Sequence, residues 1–165
     1  MADNTHTEKD LKNRKLVVTR NFDAPLPMVW RSWTESKILE QWWSPRPFRT
    51  VTKSMNFCEG GSWVFATISP EGNTQHIRID FVKIDFQKKI QMSSWFCDEQ
   101  GTPNLEIPGL RWESHFHSSP TGTEVVVEIV FTSEQSLEHV LSLGFEAGFT
   151  SALNTLAETL ATNLS

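Results

Sequence analysis

Tyrosine is missing from this chain, cysteine occurs only twice, and no apolar run reaches the ~20 residues that a membrane helix needs. Cys58 and Cys97 sit in neither a C-x-x-C pair nor a zinc spacing, so two reduced, unlinked thiols are expected. The opening "MADNTHTEKDLKNRK" has no apolar core, which predicts no secretory signal and a cytoplasmic protein. Positive charge is also short: 15 Lys and Arg stand against 20 Asp and Glu, for a net charge of −5. A nucleic-acid binder needs a basic face to meet phosphates, so that class is set aside. There is no G-x-S-x-G elbow, H-E-x-x-H pair, phosphate-cradling glycine loop or dinucleotide fingerprint. We therefore assign no catalytic residue, metal ligand or cofactor from the sequence, and leave enzymatic activity an open alternative.

What the chain does have is aromatic bulk: 7 Trp and 11 Phe in 165 residues. Apart from the indole N–H these rings carry no proton for chemistry, and they bring large apolar area. Such a composition suits a chain that encloses something greasy or fills a large core. Three of the tryptophans fall within "WTESKILEQWWSP" (33–45), with Trp42 and Trp43 adjacent where a helix gives out before Pro45 and Pro47.

At 165 residues one domain is expected. Residues 1–14 read as a flexible polar leader and 15–163 as the domain. "KLVVTRNF" (15–22) predicts a strand. "DAP" opens a short helix with Asp23 as its cap, and a second short helix over "TESKILEQWW" is capped by Thr34 or Ser36. From Phe48 to Phe131 alternation of period two and turn words such as "SPEGN" predict about six strands in an antiparallel meander. Steps of three and four then run from Leu137 to Leu160, which predicts one long amphipathic helix over Ser133–Leu160. Gly144 and Gly148 lie on its apolar stripe, where they would let the helix approach the sheet or leave space above it.

This order resembles the START-like superfamily (also called SRPBCC), and within it the branch named for activators of heat shock protein 90 ATPase. The words that carry the resemblance are "RNFDAPLPMVWRSWTESKILEQWWSP", "CEGGSWVF", "FVKIDFQKKI" and "GFEAGFTSALNTLAETLA", which span about Lys15 to Ala161. Phe145 and Phe149 stand where such domains commonly show a tryptophan, and the loop around Pro103–Pro108 is idiosyncratic. The resemblance implies an α+β helix-grip (START-like, Bet v-like) fold. In it a curved antiparallel sheet wraps a long C-terminal helix, with two short helices after the first strand. The superfamily includes lipid carriers, cyclases, hormone receptors and co-chaperones, and fold alone does not choose among them.

The expected function is binding of a small hydrophobic or aromatic ligand in a gap between sheet and C-terminal helix. Trp63, Phe65, Trp112, Phe116, Phe145 and Phe149 are placed around that gap, with Trp30, Trp42 and Trp95 near its mouth. Of the adjacent pair, Trp42 is given the mouth and Trp43 a structural role. One alternative is a co-chaperone-like protein-binding module, linked to the stress response. Another is a polyketide cyclase-like enzyme acting on an aromatic substrate through an acid such as Glu146 or Glu59. The partner is then a small hydrophobic molecule, with a chaperone or other protein as the second possibility, no membrane or nucleic acid, and a monomer or homodimer. "ESHFH" places Glu113, His115 and His117 on one strand face, where His76 on a neighbouring strand could join them as metal ligands. Leu110, Trp112, Ser114 and Phe116 already claim the inner side, so that set is expected to face solvent without a metal. Arg78 and Asp80 are expected to form a surface cross-strand pair.

Overall fold

The computed structural model describes residues 5–162. Among them, eight strands form one antiparallel sheet in the order β1-β2-β8-β7-β6-β5-β4-β3. The strands are β1 (Thr5–Asp10), β2 (Lys15–Phe22), β3 (Arg49–Met55), β4 (Ser62–Ile68), β5 (Thr74–Asp85), β6 (Lys89–Cys97), β7 (Leu110–Ser119) and β8 (Gly122–Val130). Helices α1 (Leu26–Thr34) and α2 (Ser36–Trp42) follow β2, and α3 (Glu134–Ser142) and α4 (Phe145–Thr162) end the chain. From β3 to β8 each strand pairs with the next, as expected when local turns join short strands. The α+β helix-grip arrangement predicted from the sequence is the one formed.

Alternation sorts each strand into an inner and an outer face. Leu16, Val18 and Phe22 of β2, Val125, Val127 and Ile129 of β8, and Trp112, Ser114 and Phe116 of β7 are all buried. From α4, Phe149, Ala152, Leu153, Leu156 and Leu160 close over them. These residues belong to one continuous apolar cluster, which also takes in Val29, Trp30, Trp33, Ile38, Leu39 and Trp42 from the two short helices. Burying each large side chain contributes about 1.5–3 kcal/mol.

Several local expectations are corrected. The polar leader is not loose throughout: Thr5–Asp10 forms β1, paired with β2 from Thr5↔Arg20 to Asp10↔Lys15. Residues 1–4 and 163 lie outside the described residues. Asp23 does not cap α1; Pro25 holds the N-cap position without a side-chain bond, and Pro27 sits in the first turn. Neither Thr34 nor Ser36 caps α2, whose N-cap is Glu35, while the Thr34 hydroxyl donates to the Trp30 carbonyl.

The long C-terminal helix is two helices. Leu143 and Gly144 separate α3 from α4, and Gly144 has φ +86°, a left-handed conformation that a side chain disfavours. Ser133 caps α3 by accepting from the Ser136 amide. Gly148 behaves differently. It lies within α4, and a Cβ there would meet the Pro45 ring at 3.6 Å, an ordinary contact. That glycine approaches the α2–β3 connection and not the sheet.

The two glycines therefore predict opposite signs. Gly144→Ala should destabilise the protein by about 1 kcal/mol or more, because alanine must enter the left-handed region. Gly148→Ala should stabilise it by about 0.5–1 kcal/mol through helix propensity. Urea denaturation of both variants checks this, and equal destabilisation would contradict the helix break.

Candidate functional site: an aromatic cleft under the terminal helix

The sequence from Trp30 to Pro45 builds one wall of the site. In α1, Trp30 and Trp33 face inward, and both meet Phe116 of β7, at ring separations of 5.1 and 5.5 Å. Trp42 ends α2 fully buried, packs on Trp33 at 4.6 Å, and donates its indole N–H to the Ser32 carbonyl at 3.0 Å. Trp43, one residue on, turns into the space between sheet and α4. Its ring meets Trp63 of β4 at 5.7 Å, Trp112 of β7 at 5.8 Å and Phe149 of α4 at 6.4 Å. The expected roles are thus exchanged: Trp42 is the structural indole, and half-buried Trp43 borders the cleft. A helix cannot point both neighbours the same way, and Trp42 has the buried hydrogen-bond acceptor.

Around Trp43 the rings continue. Trp63 stacks on Phe65 at 4.0 Å, Trp112 meets Phe145 at 6.1 Å, and Phe145 stacks on Phe149 at 5.7 Å. Most of the expected gap is therefore occupied by the protein's own rings. Burial is uneven, however. Trp63, Phe65, Phe116 and Phe149 are buried, whereas Trp43 and Phe145 are half-buried. The inner sheet face at this end runs out through Ile77 and Leu110, both half-buried, to Phe96, 38% exposed. The result is a ring-lined seam between the sheet and α4, filled by its own side chains and partly exposed at one end. Two concavities lie elsewhere: a groove of about 440 Å³ beside Pro25 and Gly122, and an outer-face cleft of about 180 Å³ beside Gln91 and Glu113.

Polar groups at the cleft are few and specific. The Ser44 hydroxyl hydrogen-bonds with that of Thr50 and lies 3.4 Å from that of Thr67. Thr50 and Thr67 are directly paired across β3 and β4, and Ser44 follows Trp43 in the chain, so three hydroxyls gather where α2 meets this edge of the sheet. The Trp63 N–H donates to the Thr52 hydroxyl at 3.0 Å and the Trp112 N–H to that of Ser94 at 2.9 Å. The Trp43 N–H makes no hydrogen bond among the described residues.

Trp95 does not belong to this set. It pairs with Arg78, which pairs with Val64, while Ser94 and Phe96 take the inner positions. On the outer face Trp95 lies against Gly109, where even a Cβ would come within 2.7 Å of the ring. The loop between β6 and β7 folds over this face: Cys97 bridges to Pro103, and Arg78 donates to the Gly101 carbonyl at 3.0 Å. Arg78 and Asp80, expected as a cross-strand pair, join along β5 itself at 2.8 Å. The loop is anchored by Asp98, whose carboxylate accepts the Gln100 and Thr102 amides at 2.9 Å each. These bonds, led by that from Thr102, hold the Asp98 carboxyl below its usual range. Burial pushes the neighbouring Cys97 thiol up. Of the two acids considered for chemistry, Glu146 is exposed on α4 and Glu59 accepts the Ile84 amide at 3.0 Å, so neither joins the ring cluster.

On the outer face of β7, Glu113 and His115 face away from the core as expected, and His117 is exposed. His76 lies on β5, with β6 between it and β7, and does not join them. Glu128 of β8 does, because it pairs directly with Glu113. A hydrogen bond from Gln91 is the largest influence holding the Glu113 carboxyl below the usual range, aided by His115 and Lys89.

Residues 23–161 match the family model described as "Activator of Hsp90 ATPase homolog 1-like protein". The chain belongs to this family. No curated protein matches the chain. Solved structures of the same fold include protein Ms6760 from Mycobacterium smegmatis, 23% identical with a TM-score of 0.87, covering 96% of this chain and 98% of that one. A protein from Arthrobacter aurescens is 22% identical with a TM-score of 0.88, covering 94% and 91%. One from Staphylococcus epidermidis is 25% identical with a TM-score of 0.86, covering 96% and 95%. At these identities the likeness speaks for the fold. Among the described residues of this family member, no helix is long and apolar enough to cross a membrane.

Two outcomes follow from the geometry. Trp42→Ala should cost about 3–5 kcal/mol in urea denaturation, and Trp43→Ala clearly less, because only Trp42 is fully enclosed. In an acid NMR titration, the Gln100 and Thr102 amide signals should report a midpoint below about 3.9, the ordinary aspartate value. The carboxyl is lowered by folding, so its contribution is present above the unfolded pKa and lost as pH falls through the folded one. A midpoint at or above the ordinary value would contradict the anchor.

Proposed function

We propose that this family member binds a small, flat aromatic or apolar molecule at the open end of the cleft. The ligand enters between Trp43 and Phe145, parting rings that are already half-exposed. The observation that carries this reading is the position of Trp43: a half-buried indole with rings on several sides and an N–H with no hydrogen bond among the described residues. Ligand sites are mostly apolar with a few placed polar groups, and this end of the cleft has that composition. The indole N–H favours a ligand with one acceptor oxygen. Because most of the interior is filled by the protein's own rings, the reading favours a molecule of one or two rings over a long lipid.

A second reading is favoured by a separate observation. Leu105 is 79% exposed and Ile107 41%, two residues apart in the β6–β7 loop, and Leu143 is 72% exposed at the α3–α4 break; neighbouring open apolar groups such as the first two suit a protein-binding surface. Together with the family's description, they support a co-chaperone-like module as the alternative. No observation favours the enzyme reading, since neither of the acids considered for it joins the cleft.

Titrating the protein with 2-naphthol while following tryptophan fluorescence tests the first reading. Saturable quenching is expected, lost in Trp43→Ala and kept in Trp95→Phe, whose ring lies on the other face. Equal quenching in Trp43→Ala, or none in the wild type, would reject the cleft. A wild type that does not bind but stimulates an Hsp90 ATPase, with the stimulation lost in Leu105→Ser or Leu143→Ser, would establish the second reading.

A further inference from the structure

We infer that Glu113, His115 and Glu128 form a binding site for a divalent transition cation of the zinc type on the outer face of the sheet. The site stands apart from the aromatic cleft and does not depend on it. It also departs from the sequence-based expectation that this face carries no metal, which did not include Glu128.

Spacing is the first argument. His115 Nε2 lies 2.9 Å from Glu113 Oε1 and 3.5 Å from Glu128 Oε2, and one ligand atom from each residue falls within 4.8 Å of the others. Two donors each about 2.1 Å from one tetrahedrally bound ion are about 3.4 Å apart. The distances on this face bracket that value, so a cation can be taken up with small side-chain adjustments.

Orientation is the second. Each carboxylate spends one oxygen on a support and turns the other toward the imidazole. Glu113 accepts from the Gln91 amide at 2.8 Å through Oε2, leaving Oε1 toward His115. Glu128 accepts from the Lys15 ammonium at 2.9 Å through Oε1, leaving Oε2 toward His115. Metal ligands are commonly held by such outer partners, which fix their direction. Residues from β2, β6, β7 and β8 take part, all on paired strands, so the sheet pre-organises the group.

Charge and access complete the case. Glu113 and Glu128 are directly opposed across β7 and β8, an arrangement that repels unless a cation lies between them. Lys15 pairs with Glu128, and Lys89 and His115 partly ease Glu113, so a divalent ion would complete a balance that is only begun. The three side chains are about one-third exposed, so an ion reaches them directly from solvent. One imidazole with two carboxylates suits zinc, cobalt or manganese better than calcium, which prefers six to eight oxygens. To take the metal, the imidazole presents its Nε2 lone pair and keeps its one proton on Nδ1.

The test is isothermal titration of the metal-free full chain with zinc chloride, with ¹⁵N NMR of the imidazoles in parallel. One saturable site is expected, with the Nε2 signal of His115 shifting. Binding should vanish in His115→Gln and Glu128→Gln, weaken about tenfold in Gln91→Leu through loss of its orienting bond, and persist in His117→Gln. The NMR readout on the wild type stands even if a variant fails to fold. Absence of a saturable site overturns the inference. So does zinc binding that survives His115→Gln, that is lost instead in His6→Gln, or that is displaced by an equal concentration of magnesium.

Discussion

Strand β7 and its pairing with β6 and β8 set the constraint on which both faces of the sheet depend. Successive residues of this strand point to opposite sides, so Trp112, Ser114 and Phe116 enter the core while Glu113 and His115 leave it. The partner strands meet it in matching phase: Ile129 and Val127 lie opposite the inner set, and Glu128 opposite Glu113. A slip of one residue would put carboxylates and imidazole into the apolar layer and indole into water. Neither the ring cluster nor the Glu–His–Glu group would survive it.

The two adjacent tryptophans show how one short segment serves two purposes. Trp42 closes α2 against α1 and has its N–H satisfied by a backbone carbonyl, so it fixes the corner. Trp43 uses that fixed corner to reach past it, toward rings from β4, β7 and α4. Pro45 then rests against Gly148, which ties the same corner to the terminal helix. Stability is concentrated in one indole and exposure in the next.

Much of the architecture was legible because period two and period 3.6 are properties of residue order. The six strands from β3 to β8 and the inner and outer assignment along β5 and β7 all came from alternation. What failed had no such signal. β1 is a polar edge strand with no continuous apolar face, and only its backbone pairing with β2 defines it. The break at Gly144 was hidden because apolar residues keep helical spacing across it, and a lone glycine reads as a cost before it reads as a stop. Trp95 was misplaced although the buried pair Ile90 and Met92 sets a phase that turns Ser94 and Phe96 inward. Glu128 needed the cross-strand register, which no single strand contains. The exchange of Trp42 and Trp43 turned on a carbonyl ten residues upstream.

The first strand has a practical consequence for anyone handling this protein. Trimming the chain back to Lys15, as its polar opening invites, would strip β2 of its neighbour and leave "KLVVTRNF" as a long, apolar, unpaired rim. Its backbone amides and carbonyls would then seek another molecule's strand, and the trimmed protein would tend to cluster. Arg20, held by the Thr5 hydroxyl at 2.7 Å and by Asn154 at 2.6 Å, would lose the first of these anchors in the same cut. A stretch that looks dispensable on paper acts as the selvedge that keeps the fabric from fraying.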